Sequence, residues 1–325
     1  MLLGTYCAHF GDPLETQIAV PGALLFSQVT TMASERWVHE TLHETGGVSF
    51  SFRADEVIME EQTEHQHMVL FENPLFGRVM MLDGATQVTS RDEFIYHEMM
   101  VHVPMFAHGD AQDVLIVGGG DGGMAEEALK HTTLKHLTQV EIDPTVIDFA
   151  KTHFTSFNKN CFDDPRMELV VADGMVFVQE TERRFDVIMV DSTDPVGPAK
   201  VLFSKDFYNF CKRCLKPGGV LVTQNGSPFF QPDELQTSVS HFASLFTDAG
   251  CYLSNVPTYI GGVFAHGWAT DNVALRTVTE ETVAERFAAA DFSTDYYTPA
   301  IHKGCFALPR YVERLVEAGN KTPSA

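Results

Sequence analysis

Five short apolar runs in this chain end in residues that carry chemistry. Val114-Leu115-Ile116-Val117 leads into Gly118-Gly119-Gly120-Asp121-Gly122-Gly123, Leu137–Glu141 ends on Glu141, and Glu168–Val171 is followed by Asp173-Gly174. Phe185–Val190 leads to Asp191-Ser192-Thr193-Asp194, and Val220–Thr223 to Gln224-Asn225. A single Asp after an apolar run is more often a helix cap or a turn residue than a ligand contact. Four carboxylate-bearing ends facing one crevice are harder to dismiss, because crowded like charges repel and raise one another's pKa. Something positive should offset them. The His and Cys spacings support no metal site, which leaves a polycationic organic ligand.

For these ends to converge, the runs must be strands of one open sheet, whose ligands sit across the carboxyl ends. Helix-length segments separate them, and each reads as apolar on both faces. Parallel strands read this way, so the pattern predicts a doubly wound α/β sheet. Val256 to Thr270 reads as two strands joined at Gly261-Gly262, an antiparallel hairpin closing the sheet. A plain dinucleotide-binding fold has no need of that hairpin, whereas a methyltransferase-like fold ends with an antiparallel strand. Upstream, Val48–Phe52 alternates with period two, and His67–Phe71 and Gly77–Leu82 flank the turn Glu72-Asn73-Pro74, which predicts a small antiparallel β unit. Asp92 is expected to cap a helix running to about Ala107, with Glu93 adding negative charge to its first turn. Residues 1–33 are weakly patterned. The expected division is an N-terminal extension over 1–33, a small β domain with a connecting helix over 34–108, and a catalytic domain over 109–325.

Composition narrows the partners. Lys and Arg number 22 against 44 Asp and Glu, a net charge of −22 in 325 residues. That balance excludes a nucleic-acid backbone or an anionic membrane as partner, since both need a basic face. Cys211-x-x-Cys214 falls in a helical stretch with no second pair, so its thiols are expected to be free. The first basic residue is Arg36, so the apolar start lacks the positive region of a signal peptide. No uncharged run reaches the roughly 18–20 residues of a membrane span. A cytoplasmic location is expected.

Gly118-x-Gly120-x-x-Gly123 matches the dinucleotide fingerprint, and Glu141 falls where a ribose-binding acid is expected. The glycines alone are weak support for NAD, whereas the ribose role of Glu141 suits any adenosine ligand. Asp121 discriminates. Beside a pyrophosphate its carboxylate would be repelled, and so would it beside the carboxylate of S-adenosylmethionine. It suits an adenosyl sulfonium that keeps only an ammonium, which describes decarboxylated S-adenosylmethionine.

Over residues 36–320 the chain resembles the polyamine aminopropyltransferases, in particular the bacterial-type spermidine synthases. The resemblance rests on Leu82-Asp83-Gly84, the stretch Arg91-Asp92-Glu93-Phe94-Ile95-Tyr96-His97-Glu98-Met99, Gly118–Gly123, and Val140-Glu141-Ile142-Asp143. It continues through Asp191-Ser192-Thr193-Asp194-Pro195-Val196-Gly197-Pro198, Pro257-Thr258-Tyr259 and Trp268-Ala269-Thr270-Asp271-Asn272. It implies that Asp191 accepts the proton, helped by Tyr96, and that Asp121 holds the aminopropyl ammonium. It also implies that Glu141 binds the ribose, Asp173, Gly174 and Pro198 frame the adenine, and Gln66 contacts the methylthioadenosine portion. His97, Asp194, Gln224 and Tyr259 would line a diamine channel, and 192–203 would form a mobile loop over the substrates. The implied reaction moves an aminopropyl group from decarboxylated S-adenosylmethionine to putrescine, giving spermidine and 5′-methylthioadenosine, with no metal or further cofactor and a homodimer or higher homo-oligomer as the assembly. The rival readings are a methyltransferase using intact S-adenosylmethionine and a non-catalytic polyamine-binding relative.

The chemistry stands without the family. A primary amine must displace a thioether from a sulfonium carbon, and it arrives protonated, with a pKa near a lysine's, about 10.4. It needs a base, worth roughly 10²–10⁴ in rate. Asp191, at the end of a buried strand, is where one belongs. The chain departs from the family pattern at His67, at Val88-Thr89-Ser90, at Ala125-Glu126-Glu127 and at Lys200-Val201. Of these, Lys200 would put a cation near the mouth of a site for cations.

Overall fold

The computed structural model describes residues 36–195 and 197–321, without the side chains of Gly197 and Pro198. The extension expected at 1–33, and the place expected for Pro198 beside the adenine, lie outside that description.

Strands β1 (Arg36–His39) and β2 (Ser51–Ala54) pair as an antiparallel ribbon. Strands β3 (Glu56–Gln62), β4 (His67–Asn73), β5 (Gly77–Leu82) and β6 (Ala85–Thr89) then form a four-stranded antiparallel meander. The runs read at 67 and 77 are β4 and β5. The run read at Val48–Phe52 enters its strand only at Ser51. Strand β3 escapes a pattern reading because Glu56-Val57-Ile58-Met59-Glu60-Glu61-Gln62 groups its apolar residues and buries none fully.

Helix α1 (Glu93–His108) follows, buried from Ile95 to Ala107, so it has no solvent face. Asp92 does precede it, but its side chain caps nothing. The carboxylate instead accepts from Thr89 Oγ1 at 2.7 Å and from Thr258 N and Oγ1 at 2.9 and 2.7 Å. The expected cap is thus a clamp between the small meander's exit and a loop 166 residues away.

Next come β7 (Asp113–Gly118), α2 (Gly123–Leu129), β8 (His136–Glu141), α3 (Pro144–His153), α4 (Thr155–Asn158), β9 (Met167–Val171), α5 (Gly174–Glu180) and β10 (Phe185–Asp191). After them lie α6 (Lys205–Cys214), β11 (Leu215–Gln224), α7 (Pro232–Leu245), β12 (Asp248–Asn255) and β13 (Val263–Thr270). The seven strands lie in the order β12-β13-β11-β10-β7-β8-β9. The last five are parallel, and β13 runs antiparallel to both its neighbours, β11 and β12, as in a methyltransferase-like α/β fold. Apolar clusters cover both faces, one around Met99, Ile116 and Trp268, the other around Leu115, Ile188 and Phe207.

The closing hairpin is real, but its first strand is Asp248–Asn255 rather than a segment beginning at Val256. Residues 256–262 are the connection. Pro257 has no N–H to give a ladder, and Gly261 and Gly262 hold φ of 81° and 72°, angles that suit a turn. Cys211 and Cys214 sit buried and unpaired on α6. Among the described residues no helix is long and apolar enough to cross a membrane.

The clamp makes a test of the fold. Asp92→Ala should lower stability by about 2–4 kcal/mol, because the Thr258 N–H and two buried hydroxyls lose a charged acceptor. Urea denaturation checks this, and Asp92→Asn should cost less.

Candidate active site

The parallel strands end in register. Asp191 pairs with Gly118 across β10 and β7, and Val117 with Val140 across β7 and β8. Their carboxyl ends, the small meander and α1 enclose one cleft. Every site residue expected from the sequence whose side chain the structure describes lines it.

Glycine permits the close packing at its floor. Gly118 holds φ at 87°, and a Cβ there would lie 1.8 Å from the Asp191 carbonyl oxygen. Gln139, inside β8, donates to the carbonyls of Gly118 and Gly119 at 3.0 and 2.5 Å and pins the loop from beneath. No sequence pattern singled it out, although a buried amide in an apolar strand is itself a signal.

Asp191 Oδ1 accepts from the Tyr96 hydroxyl at 2.7 Å. Burial pushes the Asp191 carboxyl up to about 6, and the negative Asp121 adds to the rise. The Tyr96 bond and His97 pull in the other direction. Burial also raises Tyr96 far above its usual range, so the phenol stays a neutral donor. The Tyr96 ring meets Tyr259 edge-on at 5.9 Å, and Tyr259 donates to the Gln87 carbonyl at 2.7 Å.

On the β7–β9 side, Asp121 Oδ1 accepts from Gly123 N at 2.8 Å, and Oδ2 lies 3.4 Å from His97 Nε2. The other His97 nitrogen faces Glu93 Oε2 at 2.7 Å. With both ring nitrogens so engaged, His97 lines the cleft as a side chain tied into its wall. Glu141 Oε1 accepts from Asp143 N at 2.9 Å. Burial lifts the Glu141 carboxyl to about 7 despite the backbone N–H groups that lower it. Asp173 keeps the bland role as well, capping α5 through Met175 N at 2.7 Å. Gln66 lies 3.1 Å from Asp143 Oδ2, which Thr63 also reaches, so the β3–β4 turn is fastened to the loop after β8.

On the β11 side, Gln224 donates to the Ser192 carbonyl at 3.1 Å, and Asp194 accepts from Gln231 Nε2 at 2.5 Å. Burial raises the pKa of Asp194 and of Glu40, which also lines this end. Glu40 accepts from Thr86 N at 3.0 Å. Glu40, His43 and Gln231 were not found from the sequence, since each reaches the cleft from a segment without a strand-end signature. His43 Nε2, Ser192 Oγ and Ser227 Oγ are buried there without a partner, which marks a place for a polar ligand group. Lys200 is exposed and off the cleft wall, while its neighbours Ala199, Val201 and Leu202 line it.

Residues 93–280 match the family described as the spermine/spermidine synthase domain, and residues 37–90 one described as the spermidine synthase tetramerisation domain. A polyamine aminopropyltransferase of Ruegeria sp. (strain TM1040) is 51% identical over 284 residues, covering 87% of this chain and 99% of that protein. Polyamine aminopropyltransferase 1 of Pseudomonas aeruginosa is 52% identical over 277 residues, covering 85% and 96%. Among solved structures, a spermidine synthase in complex with the transition state analogue AdoDATO superposes with a TM-score of 0.82 at 34% identity, covering 87% of this chain and 96% of that one. Spermidine synthase from Thermotoga maritima gives 0.80 at 32% identity, covering 88% and 95%.

The crowded carboxylates set a pH dependence of stability. Glu141 has a folded pKa of about 7 against an ordinary 4.5, so the folded state holds the extra proton between those values. Stability from this group is therefore full below the lower value and falls as pH rises through the higher one. Without ligand, Glu141→Gln should be more stable than the parent at pH 7 by roughly 2–3 kcal/mol and equal to it near pH 4. Denaturant midpoints at the two pH values check this.

Proposed function

The chain belongs to the spermine/spermidine synthase family and is an aminopropyltransferase, and from that premise we propose that it moves the 3-aminopropyl group of decarboxylated S-adenosylmethionine to putrescine. The products are spermidine and 5′-methylthioadenosine. One observation carries the reading. Asp191, on β10, stands in the middle of the strand order, with Asp121, Glu141 and Asp173 on the β7, β8 and β9 side and Gln224 on the β11 side. Two cationic substrates would meet at Asp191 from opposite sides.

In this reading Glu141 holds the ribose hydroxyls, Asp173 and Gly174 border the adenine, and Gln66 borders the methylthioadenosine portion. Asp121 pairs with the aminopropyl ammonium. Asp194 and Glu40, with Gln224 and Tyr259 along the way, receive the putrescine, whose far ammonium fits the acidic end. The near amine loses a proton to Asp191, and its lone pair forms the new N–C bond. The C–S bond breaks with its electron pair going to sulfur, which turns the sulfonium into a neutral thioether. A raised pKa makes Asp191 a stronger base than an ordinary carboxylate while leaving it mostly ionised at neutral pH. The Tyr96 hydroxyl orients it. The sulfonium is already activated, so the mechanism calls on no metal.

The proposal extends to a homo-oligomer, a dimer or larger, and to a cytoplasmic location in keeping with two small metabolites as substrates. The match of 37–90 supports the first, as do Trp37 and Leu75, apolar residues left 49% and 61% exposed in this chain. We also keep the division into 34–108 and 109–325, which follows the change from antiparallel meander and helix to the mixed sheet.

The direct test is to supply the decarboxylated donor with a panel of diamines and identify the products by mass. Spermidine from putrescine is expected, and turnover of intact S-adenosylmethionine would overturn the reading. Asp191→Asn should cut turnover about 10²–10⁴-fold with donor binding nearly intact. In calorimetry, Asp121→Asn should weaken the decarboxylated donor far more than methylthioadenosine, by about 1.5–3 kcal/mol, because only the donor carries the ammonium.

A further inference from the structure

One buried carboxylate at the cleft has no part in the mechanism above. Glu93, in the first turn of α1, has a side chain only 12% exposed, and its Oε2 lies 2.7 Å from His97 Nδ1. The i,i+4 spacing sets the two on one helix face. The other ring nitrogen lies 3.4 Å from Asp121 Oδ2. A neutral imidazole has a single N–H, so one nitrogen would turn its lone pair on a carboxylate. Only the imidazolium donates both ways. Burial opposes that charge, but Asp121 and Glu93 together outweigh it and hold His97 well above its ordinary range.

The ring has little freedom to turn elsewhere. A Cβ on Gly123 would lie 2.2 Å from His97 Nδ1, so the bare glycine is what lets the ring seat, and Phe157 of α4 packs on it at 5.9 Å. The titratable groups that face it are Glu93 and Tyr96 from α1, Asp121 from the glycine loop and Asp191 from β10. Glu127 of α2 bears on Glu93, and Cys161 lies behind Asp121.

We propose that Glu93 is a positioning residue: by holding His97 as an imidazolium donor to Asp121, it keeps the Asp121 carboxylate oriented for the ammonium of the aminopropyl donor. This rests on the assignment of Asp121 to that ammonium. With glutamine at 93, Nδ1–H still has an acceptor, but the second proton loses the carboxylate that retained it. As pH rises, Asp121 then faces a neutral imidazole, with at most one uncharged N–H to give, in place of a charge-assisted donor. The loss falls on donor binding and spares proton transfer at Asp191.

The test compares the parent with Glu93→Gln, His97→Gln and the double variant between about pH 6 and pH 9. Glu93→Gln should raise the donor KM about tenfold near pH 8.5 and no more than about twofold near pH 6, with kcat little changed. His97→Gln donates an amide N–H at every pH, so its donor KM should follow the parent's pH dependence from Glu141 and Asp191 at a constant ratio, and adding Glu93→Gln should change nothing more. Glu93→Asp should restore part of the alkaline affinity. Nitrogen NMR of the ligand-free protein should find His97 in the parent still doubly protonated above the range where an ordinary histidine titrates, and singly protonated there in Glu93→Gln. A Glu93→Gln effect independent of pH, the same effect in the His97→Gln background, or a singly protonated parent His97 at neutral pH would overturn the proposal. If the parent fails to use the decarboxylated donor while His97 is doubly protonated, the substrate assignment falls, and the donor-binding part of the proposal with it. Normal turnover with a singly protonated His97 removes the role of Glu93 alone.

Discussion

The burial of carboxylates away from water, with repulsion between neighbours added to it, governs this cleft. Asp121, Glu141, Asp191, Asp194 and Glu40 all line it, and burial raises the pKa of four of them. Such a cluster costs the unliganded fold stability, and a ligand carrying positive charge removes the cost on binding. The electrostatics that costs the empty cleft stability is the same that favours a cation in it. It also accounts for the buried imidazole at the cleft wall, since a His97 between Glu93 and Asp121 is a positive charge built into the protein itself.

The crowding is possible because the backbone elements leave room for it in the right places. Gly118 lets β7 approach the Asp191 carbonyl, and Gly123 lets His97 approach the glycine loop. Helix α1 does more than support the sheet. It carries Tyr96 and His97 into the cleft with Glu93 against His97, while Glu98 on the same helix accepts from the N–H groups of Asp295, Tyr296 and Tyr297 at 2.7, 2.9 and 2.6 Å. Asp92 at its start holds the 258 loop. A helix so tied at several points has few ways to shift the Tyr96 hydroxyl relative to Asp191, which is what a pre-positioned base requires.

The sequence by itself determined the parallel strands and what stands at their ends. Apolar runs of strand length, alternating with helix-length segments, leave little topological choice, and the fold then brings Asp121, Glu141, Asp173, Asp191 and Gln224 to one edge. Those residues were legible because their placement depends only on local pattern and a general rule of chain handedness. The tertiary structure alone decided the rest. Asp92 looks like a cap in sequence and spends its carboxylate on Thr89 and Thr258. Val256–Ile260 looks like a strand, yet Asp248–Asn255 takes the ladder. Only the fold sets His97 between Glu93 and Asp121, and Glu40 and Gln231 reach the cleft from segments with no signature. In each case a polar group must find a partner when it is buried, and several of the partners it finds lie far along the chain. Periodicity records which residues are buried together. It does not record which of them hydrogen-bond.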